Sequence, residues 1–222
     1  MTADDQSPEQ PASPASSDRA HADRIVWIDC EMTGLDLTAD ALVEVAALVT
    51  DFELNQLGDG VDLVITPPAE ALEQMVPFVR DMHTTSRLLE ELETGTTLED
   101  AQERVMAYVR EWVPEPGKAP LGGNTVATDR GFLARDMPEL DAHLHYRIID
   151  VSSIKELSRR WYPRAYFNAP QKNGGHRALA DIRESIAELR YYREAVFVPQ
   201  PGPDSPTAKR IAARHQVTPP ST

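Results

Sequence analysis

The stretch from Ile25 to Leu35, IVWIDCEMTGL, constrains the chain more than any other: an apolar run delivers two carboxylates, Asp29 and Glu31, just before a Thr-Gly turn. An apolar run bounded by a turn signal reads as a strand, and strand side chains point alternately to opposite faces. Asp29 and Glu31 then share one face, and Ile28, Cys30 and Met32 the other. Two neighbouring anions repel, and burial raises the pKa of at least one of them unless a cation lies between. Hard divalent ions such as Mg2+ or Mn2+ take oxygen ligands of this kind. Acids facing water at a strand end are the ordinary use of this pattern. The pair therefore decides the chemistry only if other segments converge on it.

With 222 residues, 41% of them hydrophobic, the chain can bury one substantial core. Residues 1–22 are rich in Pro, Ser, Ala and Asp without apolar periodicity, the composition of a disordered acidic arm. They lack the basic and apolar regions of a signal peptide, and no run reaches the roughly 18 apolar residues of a membrane span, so a cytoplasmic location is expected. Residues 23–198 read as one domain. From 199 to 222 prolines punctuate a short basic patch of Lys209, Arg210 and Arg214, the pattern of a disordered, solvated tail with at most weak nucleic-acid contact. The single cysteine, Cys30, excludes an internal disulfide and suits a small buried apolar role. The net charge of −14 lacks the cationic footprint of a protein that binds long duplexes or long RNA. A nucleic-acid substrate for this chain is short.

Strands are predicted at residues 25–29, 42–50 and 61–66, where Val, Leu and Ile are bounded by Gly, Asp and Pro. Thr97 with Asp100 three residues on marks a helix start, and Leu98, Ala101, Val105, Val109 and Trp112 follow at helical spacing until Pro114. A short segment around Leu121 leads into GGNTVATD, then a helix from Arg130. A strand at 147–150, a helix at 152–161 stopped by Pro163, and a last helix at 177–195 complete the pattern. A meander followed by alternating helices and strands describes an α/β domain with a mixed sheet.

Three further residues could join the pair. Asp129 falls at a helix N-terminus, where capping alone explains an acid. Asp181 borders the apolar face of Ala178, Ile182, Ile186 and Leu189, where a solvated role is the ordinary one. His176 precedes Asp181 by five residues, which on a continuous helix separates them by about 140°. QKNGG at 171–175 breaks the helix upstream, so His176 can sit on the loop side while Asp181 points from the second turn. A loop histidine suits a general base, and equally a structural role.

In this chain order DxE, N(x4)D and H(x4)D resemble the DEDD exonuclease superfamily, histidine subclass, and the surrounding residues are similar to the oligoribonuclease family. The resemblance covers about Arg24 to Val198 through WIDCEMTGLD, GGNTVATDRGFL, HYRIIDVSSIKELSRRWYP and GGHRALADIRESIAELRYYRE. It implies a ribonuclease-H-like fold with a mixed five-stranded sheet flanked by helices, and two Mg2+ or Mn2+ ions. Asp29, Glu31, Asp129 and Asp181 would be the metal carboxylates and His176 the base. Two metals roughly 3.5 to 4 Å apart neutralise phosphate charge and stabilise both the attacking and the leaving oxygen of phosphodiester hydrolysis.

The resemblance also implies a substrate site. Met32, Thr33 and Leu35 would line it, with Leu35 wedged between bases. Phe78 and His83 would lie on the base side, and Tyr146 would reach in from a second subunit of a homodimer. Arg147 and Ser152 would cap a 5′ phosphate, since Arg can grip a terminal dianion with both arms, and Thr125 would be a further substrate-binding residue. Without the family, Leu35 reads equally as core filler and Arg147 as a surface ion pair. The chain departs from the family pattern at Thr125, where Ser is usual, and at Phe78, where Trp is usual; stacking needs only an aromatic face. The implied partners are 5′-phosphorylated RNA dinucleotides and very short RNA, with no membrane and no long duplex. A proofreading-type DNA exonuclease would use the same five residues, and a non-enzymatic nucleotide-binding module gives no reason for the carboxylates. The tyrosine subclass is disfavoured because Arg177 stands four before Asp181.

Overall fold

The computed structural model describes residues 23–171 and 175–217. The acidic arm at 1–22 and most of the QKNGG break lie outside them. Five strands form one mixed sheet in the order β3-β2-β1-β4-β5: β1 Arg24–Met32, β2 Leu42–Asp51, β3 Gln56–Val64, β4 Pro120–Gly123 and β5 His145–Asp150. β1, β2 and β3 pair antiparallel, while β4 and β5 add in parallel. The α/β class and the mixed sheet are as the residue patterns predict, and its five strands are as the resemblance implies.

Alternation along β1 sorts the core into two layers. Val26, Ile28, Cys30 and Met32 enter one apolar cluster and Ile25 and Trp27 the other. The first layer is covered by α4 (Leu98–Trp112), α5 (Ala127–Asp136) and α6 (Pro138–His143), through Val105, Val109, Phe132 and Leu140. The second is covered by α7 (Val151–Trp161) and α9 (Ala178–Ala195), through Val151, Ile182, Ile186 and Tyr192. Asp29 and Glu31 continue the parity of Ile25 and Trp27, so α9 docks on their face. β2 is buried on both faces, which is why its sequence runs Leu, Val and Ala almost without alternation.

Several boundaries differ from expectation. β1 extends to Met32, putting both carboxylates inside the strand rather than at its end. β3 begins at Gln56, where Gly58 and Gly60 at positive φ and a register shift opposite Ala47–Val49 hide a strand among polar residues. Between β3 and α4 lie three short helices that apolar spacing does not announce: α1 Ala69–Glu73, α2 Pro77–Thr85 and α3 Leu88–Glu91. α5 starts at Ala127, so Asp129 lies within its first turn. α8 (Pro163–Phe167) follows Tyr162 directly. In the Pro-rich stretch after 199, where no regular element is predicted, α10 spans Ser205–Arg214. Asp204 caps it by accepting from Thr207 N, and Pro206 occupies an early position that needs no donor.

Candidate active site

β1 delivers Asp29, half-buried, and Glu31, only 8% exposed, to the C-terminal end of the central strand, just before the Thr33-Gly34 turn. That turn is rigid. Thr33 Oγ1 donates to Asp40 Oδ1 at 2.9 Å and accepts from Ala41 N at 3.0 Å. A Cβ on Gly34 would fall 2.3 Å from Asp40 Oδ2, so any larger residue would displace the carboxylate that holds Thr33. The turn holds Leu35 out with 75% of its surface exposed.

Asp129, on α5, is brought to β1 by a long-range bond. Its Oδ1 accepts from the backbone N–H of Cys30 at 3.0 Å, between the two β1 carboxylates. The N-cap of α5 is Val126, so this carboxylate, although it also meets its own first-turn amide, is not the N-cap of the helix. Burial pushes Asp129 up to about 6, against the hydrogen bond that favours its charged form. Burial likewise pushes Glu31 up to about 8, with the charges of Glu44, Asp181 and Asp129 adding to it and Arg177 opposing. The Cys30 thiol, buried and surrounded by these acids, is raised as well and stays neutral.

Asp181 projects from the first turn of α9, and His176 precedes that helix with a left-handed φ of 46°. Because the helix begins only at Ala178, the histidine is not bound to the 100° step. Ligand atoms of Glu31, His176 and Asp181 all lie within 4.8 Å of one another, the geometry of a candidate metal-binding group. Asp29 and Asp129 stand outside that group of three. A raised buried carboxylate beside two further donors is what a divalent cation would neutralise, so the residues fit such an ion.

The expected substrate residues divide into two groups. His83 is fully buried on α2, with Nε2 against the carbonyl of Met32 at 2.8 Å and Nδ1 3.9 Å from Glu31. Burial lowers its pKa, so the ring is neutral, and Nε2 donates. Thr125, also at positive φ, donates its backbone N–H to Asp150 Oδ1 and Ser152 Oγ at 3.1 and 3.0 Å, so Thr125 and Ser152 share one corner. Asn124 anchors that corner to α9 through Ser185 Oγ at 2.7 Å and Glu188, which in turn pairs with Lys155. Phe78, 78% exposed, and Tyr146, 73% exposed, do not enter the cluster within one chain. Arg147 packs over the ring of Tyr146, 5.4 Å from its centroid.

The sequence reading missed Glu44, Glu91, Asp150 and Glu188. Only Glu44 carried a signal, a lone charge inside the apolar run LVEVAALV.

The exonuclease family model RNase_T matches residues 26–189. The oligoribonuclease of Streptomyces coelicolor is 75% identical over 196 residues, spanning 88% of this chain and 98% of that protein. This chain belongs to the oligoribonuclease family. It is 60% identical to the oligoribonuclease of Cutibacterium acnes, over 86% of this chain and 95% of that one. The oligoribonuclease of Rhodococcus jostii is 63% identical over 82% and 92%. The chain is thus a nuclease of the 3′-to-5′ exoribonuclease type, from a divalent-metal-dependent exonuclease family. Among solved structures, exonuclease I of Methylocaldum szegediense superposes with a TM-score of 0.58 at 22% identity, over 78% of this chain and 41% of that one. Exonuclease I of E. coli in complex with a dA16 oligonucleotide gives 0.62 at 15% identity, over 78% and 41%. The chain thus spans about two fifths of the exonuclease I length, and these likenesses show the fold alone. No helix among the described residues is long and apolar enough to cross a membrane.

Proposed function

We propose that the protein hydrolyses RNA dinucleotides and very short oligoribonucleotides from the 3′ end, releasing 5′-mononucleotides. The observation that carries this reading is the meeting of Glu31, His176 and Asp181 on the face of β1 that also bears Asp29, with Asp129 tied to Cys30 from across the sheet. Asp29, Glu31, Asp129 and Asp181 would hold two Mg2+ or Mn2+ ions. When bound, the ions supply charge neutralisation for the phosphate and for the leaving 3′ oxygen. His176, exposed beside Glu31 and Asp181, accepts the proton of the attacking water. Neutral His83 steadies the site from α2. Leu35 wedges the bases and Phe78 stacks on one of them.

The corner of Thr125 and Ser152 supports a 5′-phosphate cap, in which Arg147 would pair with the terminal dianion. A second copy of the chain completes the site by contributing Tyr146. Support for the homodimer comes from the edge strand β5, where Tyr146 and Ile148 are exposed, and from the exposure of Leu157, Trp161, Tyr162 and Phe167 in the segment that follows it. Exposed apolar side chains at a sheet edge are what a second copy would cover. The net charge of −14 supports the short-substrate reading, because long RNA demands many cationic contacts.

The test is turnover against length. With Mg2+, a 5′-phosphorylated ribodinucleotide is expected to be cleaved faster than a 20-mer, and removal of its 5′ phosphate to raise KM. Equal rates on the two lengths would sink the size claim. Faster cleavage of the deoxydinucleotide would move the assignment to a DNA exonuclease.

A further inference from the structure

The helix that carries Asp181 is fastened to the sheet by an ionic junction with no part in the proposed chemistry. Glu44 lies on β2 directly across from Glu31 and is fully buried. Its Oε1 accepts from Arg177 Nε at 2.8 Å, and its Oε2 accepts from the backbone N–H of Ala178, the first residue of α9, at 2.9 Å. Glu91, at the end of α3, grips the same guanidinium through both oxygens at 2.8 and 3.1 Å. A helix N-terminus leaves its first amides without partners, and the N-cap Arg177 offers α9 no side-chain cap; Glu44 supplies one from another element. The residue immediately upstream is His176, at positive φ without being glycine. Such a conformation persists only where its surroundings over-determine it. Here the side chain of Arg177 and the amide of Ala178, the next two residues, are held by Glu44 of β2 and Glu91 of α3.

We propose that Glu44 and Glu91, acting through Arg177, are positioning residues for His176: they fix where the imidazole stands relative to Glu31 and Asp181. The proposal rests on the reading of His176 as the proton acceptor. Neither glutamate touches the substrate in it. Like charges directly opposed across strands are unfavourable, so Glu44 facing Glu31 is a costly choice for a purely structural anchor, and the planar fork of Arg177 is what makes it tolerable.

The variants are Arg177→Gln, Glu91→Gln and, should the first fail to fold, Arg177→Lys, which keeps charge but not the fork; melting curves report folding. In histidine-labelled protein without metal, the His176 ring resonance is identified by its absence in His176→Ala. In the unaltered chain that ring is expected to show through-space cross-peaks to Asp181, given ligand atoms within 4.8 Å. Arg177→Gln should abolish those cross-peaks and lower kcat on a 5′-phosphorylated dinucleotide about 10²-fold, the cost of roughly an ångström of misplacement, with KM near its original value. Glu91→Gln should do the same more weakly. In a His176→Ala background Arg177→Gln should remove no further activity. Retained cross-peaks in a folded Arg177→Gln protein, or equal losses in both backgrounds, would overturn the proposal. A wild-type protein inert on dinucleotides would instead sink the functional reading, while the cross-peaks still decide the positioning.

Discussion

The electrostatics of Glu31 and Asp129 set how the site responds to pH. Both carboxyls are raised in the folded chain, Glu31 from 4.5 to about 8 and Asp129 from 3.8 to about 6, chiefly by burial. The folded state then binds these protons more tightly than the unfolded one. Their contribution to stability is complete below the unfolded values and is lost as pH rises through about 6 and about 8. The metal-free protein is therefore expected to melt at lower temperature as pH rises from the ordinary carboxylate range towards 8. Added Mg2+ or Mn2+ should raise the melting temperature more at the alkaline end, because protons and metal compete for the same oxygens. Calorimetry with and without chelator checks both, and a metal-free melting temperature that climbs with pH would contradict them. His176→Ala should lower kcat about 10²- to 10⁴-fold, the range for a lost general base, while leaving the fold intact because the side chain is exposed. Phe78→Ala should raise KM by about tenfold, since stacking on one base is worth roughly 1–3 kcal/mol, with kcat retained. At this scale the pairing of Asp29 with Glu31 on one face was legible in strand alternation. The role of Asp129 was not, because an acid in a first helical turn looks like a cap until its bond to Cys30 N is seen.

Among the elements, β1 and α9 decide where the site lies, and α4 supports it from behind. α4 packs on the Ile28 and Cys30 side of the sheet, opposite the carboxylates. Its N-cap Thr97 accepts from Asp100 N at 3.1 Å, matching the start that Thr97 and Asp100 announce in sequence. Thr97→Ala should cost about 1 kcal/mol of stability, the usual loss for such a cap. Dinucleotide turnover should be unchanged; a fall in kcat would mean that the two faces of the sheet are coupled. The long helices were readable because each buries one apolar stripe against the sheet. The short helices α1, α2 and α3 were not, since they bury single residues such as Ala71, His83 and Leu88 rather than a stripe. α2 nevertheless carries Phe78 and His83, the two residues proposed for the base side of the site.

For the molecule as a whole, the exposed apolar residues of β5, α7 and α8 are the feature a single chain leaves unexplained. If the proposed homodimer forms through this surface, Trp161→Glu is expected to shift the protein from dimer to monomer in sedimentation velocity and to raise KM for dinucleotides, because the proposed contribution of Tyr146 from a second copy is lost. A fully active monomer would reject the shared-site arrangement. The chain's acidity belongs to the same scale: a net charge of −14 is expected to disfavour binding of long RNA, and more so at low salt, which a salt titration of 20-mer binding checks.

By itself, the sequence determined the class of fold and the chemistry on offer. Strand alternation in IVWIDCEMTGL, the meander after it and the helical stripes of 98–112 and 178–195 are local patterns, and local patterns record which face of each element is buried. Only the tertiary structure decided how distant residues share a site. Asp129 meets Cys30, Glu44 meets Arg177 and Asn124 meets Ser185 across separations that no periodicity encodes. Those contacts exist because β1 lies at the centre of the sheet, with α5 against one face and α9 against the other, and both helices bring their N-terminal ends to the place where its two carboxylates emerge.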